Sequence, residues 1–261
     1  MLGFIRQLFS PNQSTSTATK KFLILVWAAI GLGFWILQPS PLLPGPGAVL
    51  NALLELWSNG LAAHLLVSLQ LNLEALGIST ALSLGLAYAT VLPVFKPPVA
   101  FVAKLRFLGL TGLTFLFGLY LAGHQLKVGL LVLGMTVFFT TSMMAVVAAI
   151  PRERLDHART LGMSEWRVVW EVVILGTIDQ ALEILKQNAA VGWLMLTMVE
   201  GLVRSEGGMG AMLLNENRHF KLEAVFALQL TILVIGLLQD WGLGLVRKMI
   251  CPYADLAVER K

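Results

Sequence analysis

Four arginines, Arg152, Arg154, Arg159 and Arg167, stand together in a polar stretch at 150–171 that is flanked by apolar sequence on both sides. Asp156, Ala158, Leu161 and Gly162 lie among them in an Ala-x-x-Leu-Gly pattern, with Trp166 and Trp170 close behind. This is a set of residues for holding a partner, not for making or breaking bonds. A stretch this charged cannot sit in hydrocarbon, so it is expected as a loop or short helix in water. A small residue at 158 allows close approach, Gly162 turns the chain, and the arginines orient whatever docks.

A second set lies further on. Lys186, Trp193 and Glu200 recur every seven residues. Two helical turns per step put all three on one stripe of about 21 Å. Charges inside a span are costly and usually face a bundle interior or a water-filled cavity. One reading is a translocation lining, with Lys186 near the cytoplasmic end, Trp193 in mid-membrane and Glu200 at the outer mouth. The other is structural, with Lys186 snorkelling and Glu200 capping a helix or pairing with Arg204. Glu74 has Gln70 one turn away and Asn72 nearby, a polar patch that either lines a path or bonds to a neighbouring helix. Gln239 and Asp240 are expected at the membrane interface. The four histidines, His64, His124, His157 and His219, show no metal-ligand spacing. No Ser/His/Asp set stands out, and no phosphate-binding Gly-x-x-x-x-Gly-Lys motif is present. The chain therefore reads as a non-enzyme.

The elements that must carry these residues follow from composition. Hydrophobic residues make up 57% of the 261 and charged residues 13%. Soluble domains carry about 25% charged residues, so this is an integral membrane protein. Cys251 is the single cysteine, which excludes an internal disulfide. A net charge of +4 does not call for nucleic acid here, because in membranes the sidedness of the cations matters more.

Stretches near 22–38, 64–92, 101–122, 126–149, 180–203 and 223–246 are expected to span, the fifth being the least apolar. With the N-terminus inside, Lys and Arg on the cytoplasmic side outnumber those on the outer side by fourteen to four. Lys127, Arg204, Arg218 and Lys221 are the outer ones, and Lys186 falls inside the fifth stretch. The asymmetry predicts both termini in the cytoplasm, with a multi-pass inner-membrane location. Residues 1–20 are a cytoplasmic tail, 21–250 the transmembrane domain with 150–171 as its cytoplasmic segment, and 251–261 a second tail. The first stretch lacks a small-x-small cleavage pattern and reads as an uncleaved anchor. Ala48–Trp57 is expected as a short amphipathic helix, and another should follow the turn at Gly207-Gly208-Met209-Gly210.

Taken together, these features resemble the permease subunits of type I ABC importers, in the branch that handles nitrate, sulfonates and taurine. That family writes the cytoplasmic loop as Glu-Ala-Ala, three residues, Gly, nine residues, then Ile-x-Leu-Pro. Here Asp156-His157-Ala158, Gly162 and Val172-Val173-Ile174-Leu175 occupy those places. The branch's basic residue, Trp and Glu at seven-residue spacing match Lys186, Trp193 and Glu200. The resemblance covers roughly 40–250. It departs at Leu175 and Asp179, where prolines are usual, and at Leu71 and Ala75, where Arg and Gly are usual. The prolines of the third helix are also missing between Lys104 and Gly118.

The resemblance implies an all-α integral membrane protein with six transmembrane helices in the type I permease fold. It makes Asp156, Ala158, Arg159, Leu161 and Gly162 a coupling surface for ATPase subunits. It makes Lys186, Trp193 and Glu200 candidates for the path of a small solute, such as an anion like nitrate, a sulfonate or taurine, and Glu74 joins them on the strength of its polar patch alone. ATP and its magnesium would sit on the partner ATPase, with no cofactor in this chain. The other partners it implies are a second permease copy, an extracytoplasmic solute-binding protein and the lipid bilayer. A membrane scaffold or lipid-interacting protein that keeps the permease shape is the alternative.

Overall fold

A computed structural model describes residues 16–37, 43–204 and 206–252. The Pro- and Gly-rich stretch at 39–47 is therefore seen only from Leu43 onward, and most of both expected tails lies outside the described residues. The described chain is helical, with no strand.

Helix α1 (Thr17–Leu37) is apolar all round and almost wholly exposed, as suits a helix facing lipid. Trp35 Nε1 donates to the Pro44 carbonyl at 3.0 Å, which fixes the chain as it turns into α2 (Pro46–Ser58). This second helix is the short amphipathic one expected at 48–57. A proline in its first turn suits a helix start, since the missing N–H would be unpartnered there. Its inner face, Val49 and Leu56, packs on Ala224, Ala227 and Leu228 of α11 (Leu222–Ile250).

The centre is three helices: α3 (Leu61–Ala89), α6 (Gly123–Ala148) and α9 (Ile178–Leu202). Helix α3 turns small residues inward, with Ser68, Asn72, Ala75, Ser79, Ser83 and Ala87 all buried. They recur every three or four residues, which makes one small stripe down the helix. Lipid gives helices no hydrophobic reason to associate, so close backbone approach across such stripes holds the bundle. Ser83 Oγ spends its hydroxyl on the Thr136 carbonyl of α6 at 3.2 Å. Leu71, Leu130, Leu131, Met135, Trp193 and Leu196 fill the space between the three.

The six expected spans resolve unequally. Four helices, α1, α3, α6 and α11, are long and apolar enough to cross a membrane. The expected third span at 101–122 is corrected to a broken one. Its first half is a short helix, α4 (Lys96–Lys104), which opens on Pro97 and Pro98. Its second half is α5 (Leu110–Gly118), and the two halves meet at 108°. Lys104 and Arg106 sit at the corner, and Gly109 is extended, so the helix stops there. The fifth, α9, has 25 residues, about 37 Å at the usual rise. Asp179, Glu183, Lys186 and Glu200 leave it less apolar than the other spans. It is nevertheless well enclosed, touching α3, α6, α10 (Met209–Arg218) and α11.

Gly192 shows how tightly α9 is held. A Cβ there would lie 2.6 Å from Asn72 Oδ1 and 2.9 Å from Met135 Cε. Gly192→Val should therefore cost about 1–3 kcal/mol, the usual penalty of overpacking, and lower the midpoint of thermal unfolding in detergent. Gly85→Ala, where a Cβ meets nothing within 4 Å, should leave that midpoint unchanged or slightly raised.

Candidate functional site

The polar segment folds as a helix, a turn and a second short helix. Helix α7 covers Arg152–Thr160, and α8 covers Glu165–Val168. Gly162 joins them with φ +77°, a left-handed conformation that costs glycine little. Arg159 is the hinge pin. Its guanidinium meets Asp156 at 2.8 Å, across one turn of α7, and Glu165 at 2.9 and 3.0 Å, across the bend. Those bonds hold the Glu165 carboxyl below its usual range and push Arg159 further up.

Of the five residues expected to couple, Ala158 alone is buried, facing back into the bundle. Asp156, Arg159, Leu161 and Gly162 are on the open side. Leu161 is 65% exposed and Trp166 70%. These large apolar side chains are bare on an otherwise polar segment.

Beyond α8 the chain widens into a π turn, Val169–Ile174, and tightens into a 3-10 turn, Leu175–Thr177, before α9. With Leu175 and Asp179 in place of prolines, no missing N–H breaks this path. Asp179 has a task of its own. Arg247, in the last turn of α11, donates to both of its carboxylate oxygens at 2.7 and 3.1 Å and also reaches Glu183. The start of α9 and the end of α11 are thereby clasped at the same end of the bundle as the polar segment.

The stripe on α9 is one stripe, but its three members face different partners. Lys186 pairs with Asp240 at 3.2 Å and keeps about a third of its side chain open. Trp193 is buried and donates through Nε1 to Gln239, which also accepts from Asn72 at 2.9 Å. Gln239, expected at the interface, is thus the meeting point of α3, α9 and α11. A buried indole N–H and a buried amide each need an acceptor, and this side chain supplies both.

Glu200 is fully buried. Its carboxylate accepts from the Gly210 N–H at 2.8 Å and from Ser68 Oγ at 2.7 Å. The same Ser68 oxygen accepts from the Met209 N–H at 2.7 Å. The structural alternative raised for Glu200, a helix cap, is the geometry present. The helix capped is α10, and Arg204 instead donates to the Gly201 carbonyl.

Lys127 completes this arrangement and corrects an expectation. Its sequence position predicts an outer-loop cation, yet it is fully buried near the start of α6, where it donates to the Gly207 carbonyl at 3.0 Å. His64 Nδ1 accepts from Gly208 N–H at 3.0 Å. Every link runs to the Gly-rich turn, and the glycines are sterically required. A Cβ on Gly208 would fall 2.3 Å from the Glu200 carboxyl carbon, and one on Gly210 2.3 Å from the Thr197 carbonyl oxygen.

Glu74 lies beside this turn, on the surface. His124 Nε2 meets it at 2.8 Å, and the His124 backbone N–H donates to Glu206 at 2.9 Å. Sequence reasoning missed Lys127, Ser68, His64, Gln239 and Arg247 as structural anchors. Only Ser68 left a readable signal, as the first member of the small stripe on α3.

The family described as binding-protein-dependent transport system inner membrane component matches residues 97–250, more than half of the chain. The taurine transport system permease protein TauC of Escherichia coli (strain K12) is 28% identical over 260 residues, covering 94% of this chain and 91% of that protein.

Removing the Glu200 carboxylate strips the buried Gly210 N–H and Ser68 Oγ–H of their acceptor, at about 1–3 kcal/mol for each buried group left unsatisfied. Glu200→Ala should therefore lower the unfolding midpoint far more than Glu74→Ala, whose carboxylate is 40% exposed. Equal, small shifts for the two variants would mean that Glu200 does not hold the turn.

Proposed function

We propose, on the premise that the chain belongs to the binding-protein-dependent transport system inner membrane component family and is the permease subunit of an ABC importer, that its solute is a small sulfonate of the taurine kind and that its 150–171 segment couples it to ATPase subunits. The observation that carries the coupling is the bare apolar and charged surface of α7 and α8, with Leu161, Trp166 and Trp170 uncovered beside Asp156 and Arg159. Separate ATPase subunits would cover it, and they would hold the ATP and magnesium. A binding protein would deliver solute at the opposite end, which places the polar segment and both termini in the cytoplasm.

The solute path would run between two copies of the chain. The open face of α9 suits that position, since Gln187, Ala190, Leu194, Met198 and Leu202 form one exposed stripe. Lys186 and Glu74 are the expected path residues with open side chains, and they take the direct roles. Trp193 and Glu200 act from behind, by fixing the backbone of the wall. A sulfonate suits a lysine that has only one partially exposed carboxylate to satisfy it. The printed function of the 28%-identical relative supports the same class.

Lys186→Ala tests the path. A half-exposed pair contributes about 0–1 kcal/mol, so the variant should fold normally. In vesicles carrying the ATPase subunits and a taurine-binding protein, it should cut ATP-driven taurine uptake about tenfold, the worth of one hydrogen bond to a charged group. Unchanged uptake would remove Lys186 from the path. Uptake of nitrate but not taurine would reassign the solute. ATP-driven uptake of no solute by wild type would favour the scaffold alternative.

A further inference from the structure

A cavity among the described residues lies away from the stripe on α9. It lies at the polar-segment end, enclosed by the end of α3, the start of α4, the end of α6 and the inner side of α7 and α8. Its volume is about 530 Å³, within the roughly 300–1,000 Å³ typical of ligand sites. Its walls are apolar: Val91, Met144, Val147, Val168 and Val173 among others. Its polar groups are of one dominant sign. Lys96, Arg152 and Arg159 stand against a single carboxylate, Glu165.

That carboxylate is already used, because Arg159 holds it with two hydrogen bonds. Lys96 and Arg152 have no carboxylate within ion-pair distance among the described residues. They come from different elements, Lys96 from the first turn of α4 and Arg152 from the first turn of α7. Two unpaired cations at the mouth of an apolar cavity match a molecule with one anionic end and a hydrocarbon body. Val94 and Phe101, close in sequence to the lining residues Lys96 and Ala100, are 73% and 64% exposed.

We propose that this cavity is a binding site for one anionic phospholipid, its phosphate held by Lys96 and Arg152 and an acyl chain lying against Val91, Met144 and Val147. Basic pockets at the cytoplasmic ends of membrane helices recognise anionic headgroups in this way. The site rests on the reading that this end of the bundle faces the cytoplasmic leaflet. It depends on neither the solute nor the ATPase. A lipid here touches the inner side of α7 and leaves Asp156, Leu161 and Gly162 open to a partner. It would set the position of the coupling segment against α3 and α6.

The test uses the purified full chain in neutral detergent, titrated with phosphatidylglycerol or phosphatidylcholine and read by native mass spectrometry. Wild type should bind one phosphatidylglycerol in preference to phosphatidylcholine. The double variant Lys96→Ala, Arg152→Ala should bind it roughly ten- to thirtyfold more weakly, at about one surface-cation contribution per residue. A second variant, Ala148→Trp, keeps both cations and fills the cavity. It should lose the same binding while remaining monodisperse. Binding unaffected by the double variant overturns the site. Binding lost with the charges but kept in Ala148→Trp also overturns it, because plain surface attraction would then suffice. Displacement of the lipid by millimolar inorganic phosphate would make this an anion site with no acyl contact, and would overturn the lipid assignment. No ATPase or solute is present, so this result stands apart from the transport assay.

Discussion

Two opposite charges, Lys127 and Glu200, are fully buried in one bundle, and much of the fold is arranged to satisfy them. A buried ion that lacks partners costs several kcal/mol. Each finds its partner in the backbone of one turn, Glu200 at the Gly210 N–H and Lys127 at the Gly207 carbonyl. Ser68 and His64 take the two N–H groups between. The turn must then lie against α9 and α10 closely enough to leave no room for a Cβ at 208 or 210. Helices α3, α6, α9 and α10 thereby share a single fastening point.

The other end of the bundle is held differently. The ion pairs of the polar segment, Arg159 with Asp156 and Glu165 and Arg167 with Glu171, are exposed to solvent. Pairs of that kind contribute little, because water screens them. A docking partner could rearrange them at little cost, whereas the Gly-rich turn would resist. This difference is what the proposed coupling through α7 and α8 needs, a yielding end and a fixed one. The clasp of Arg247 on Asp179 and Glu183 links the polar-segment end to both α9 and α11. Asp179 stands where the family pattern has proline, so the departure replaces a backbone constraint with an ionic one.

Much of this was legible in the sequence. The helical membrane class, the short helix near 48–57, the helix after the Gly-rich turn and the turn at Gly162 follow from hydropathy and punctuation, which are local signals. What escaped is long-range. Lys127 reads as an outer-loop cation because its acceptor, Gly207, lies 80 residues away. Gln239 reads as interfacial because Trp193 and Asn72 come from two other helices. The continuous third span fails for a nearer reason. Its hydropathy averages out Lys104, Arg106 and Gly109, which together make a corner. The stripe of Lys186, Trp193 and Glu200 shows the limit most clearly. Heptad spacing put them on one face, but only packing decides that Trp193 and Glu200 are enclosed while Lys186 stays partly open.

The coupling of this chain to an ATPase through α7 and α8 is most directly measured by site-specific cross-linking. Cys251 is buried, so a Leu161→Cys variant carries one accessible thiol. The variant, expressed with its ATPase subunit and treated with a short thiol-directed photocross-linker, should give a covalent permease–ATPase product that shifts with ATP. The same label on Met198→Cys, exposed on α9, should give none. A permease–ATPase complex that forms but cross-links no better from 161 than from 198 would contradict the coupling role of the 150–171 segment.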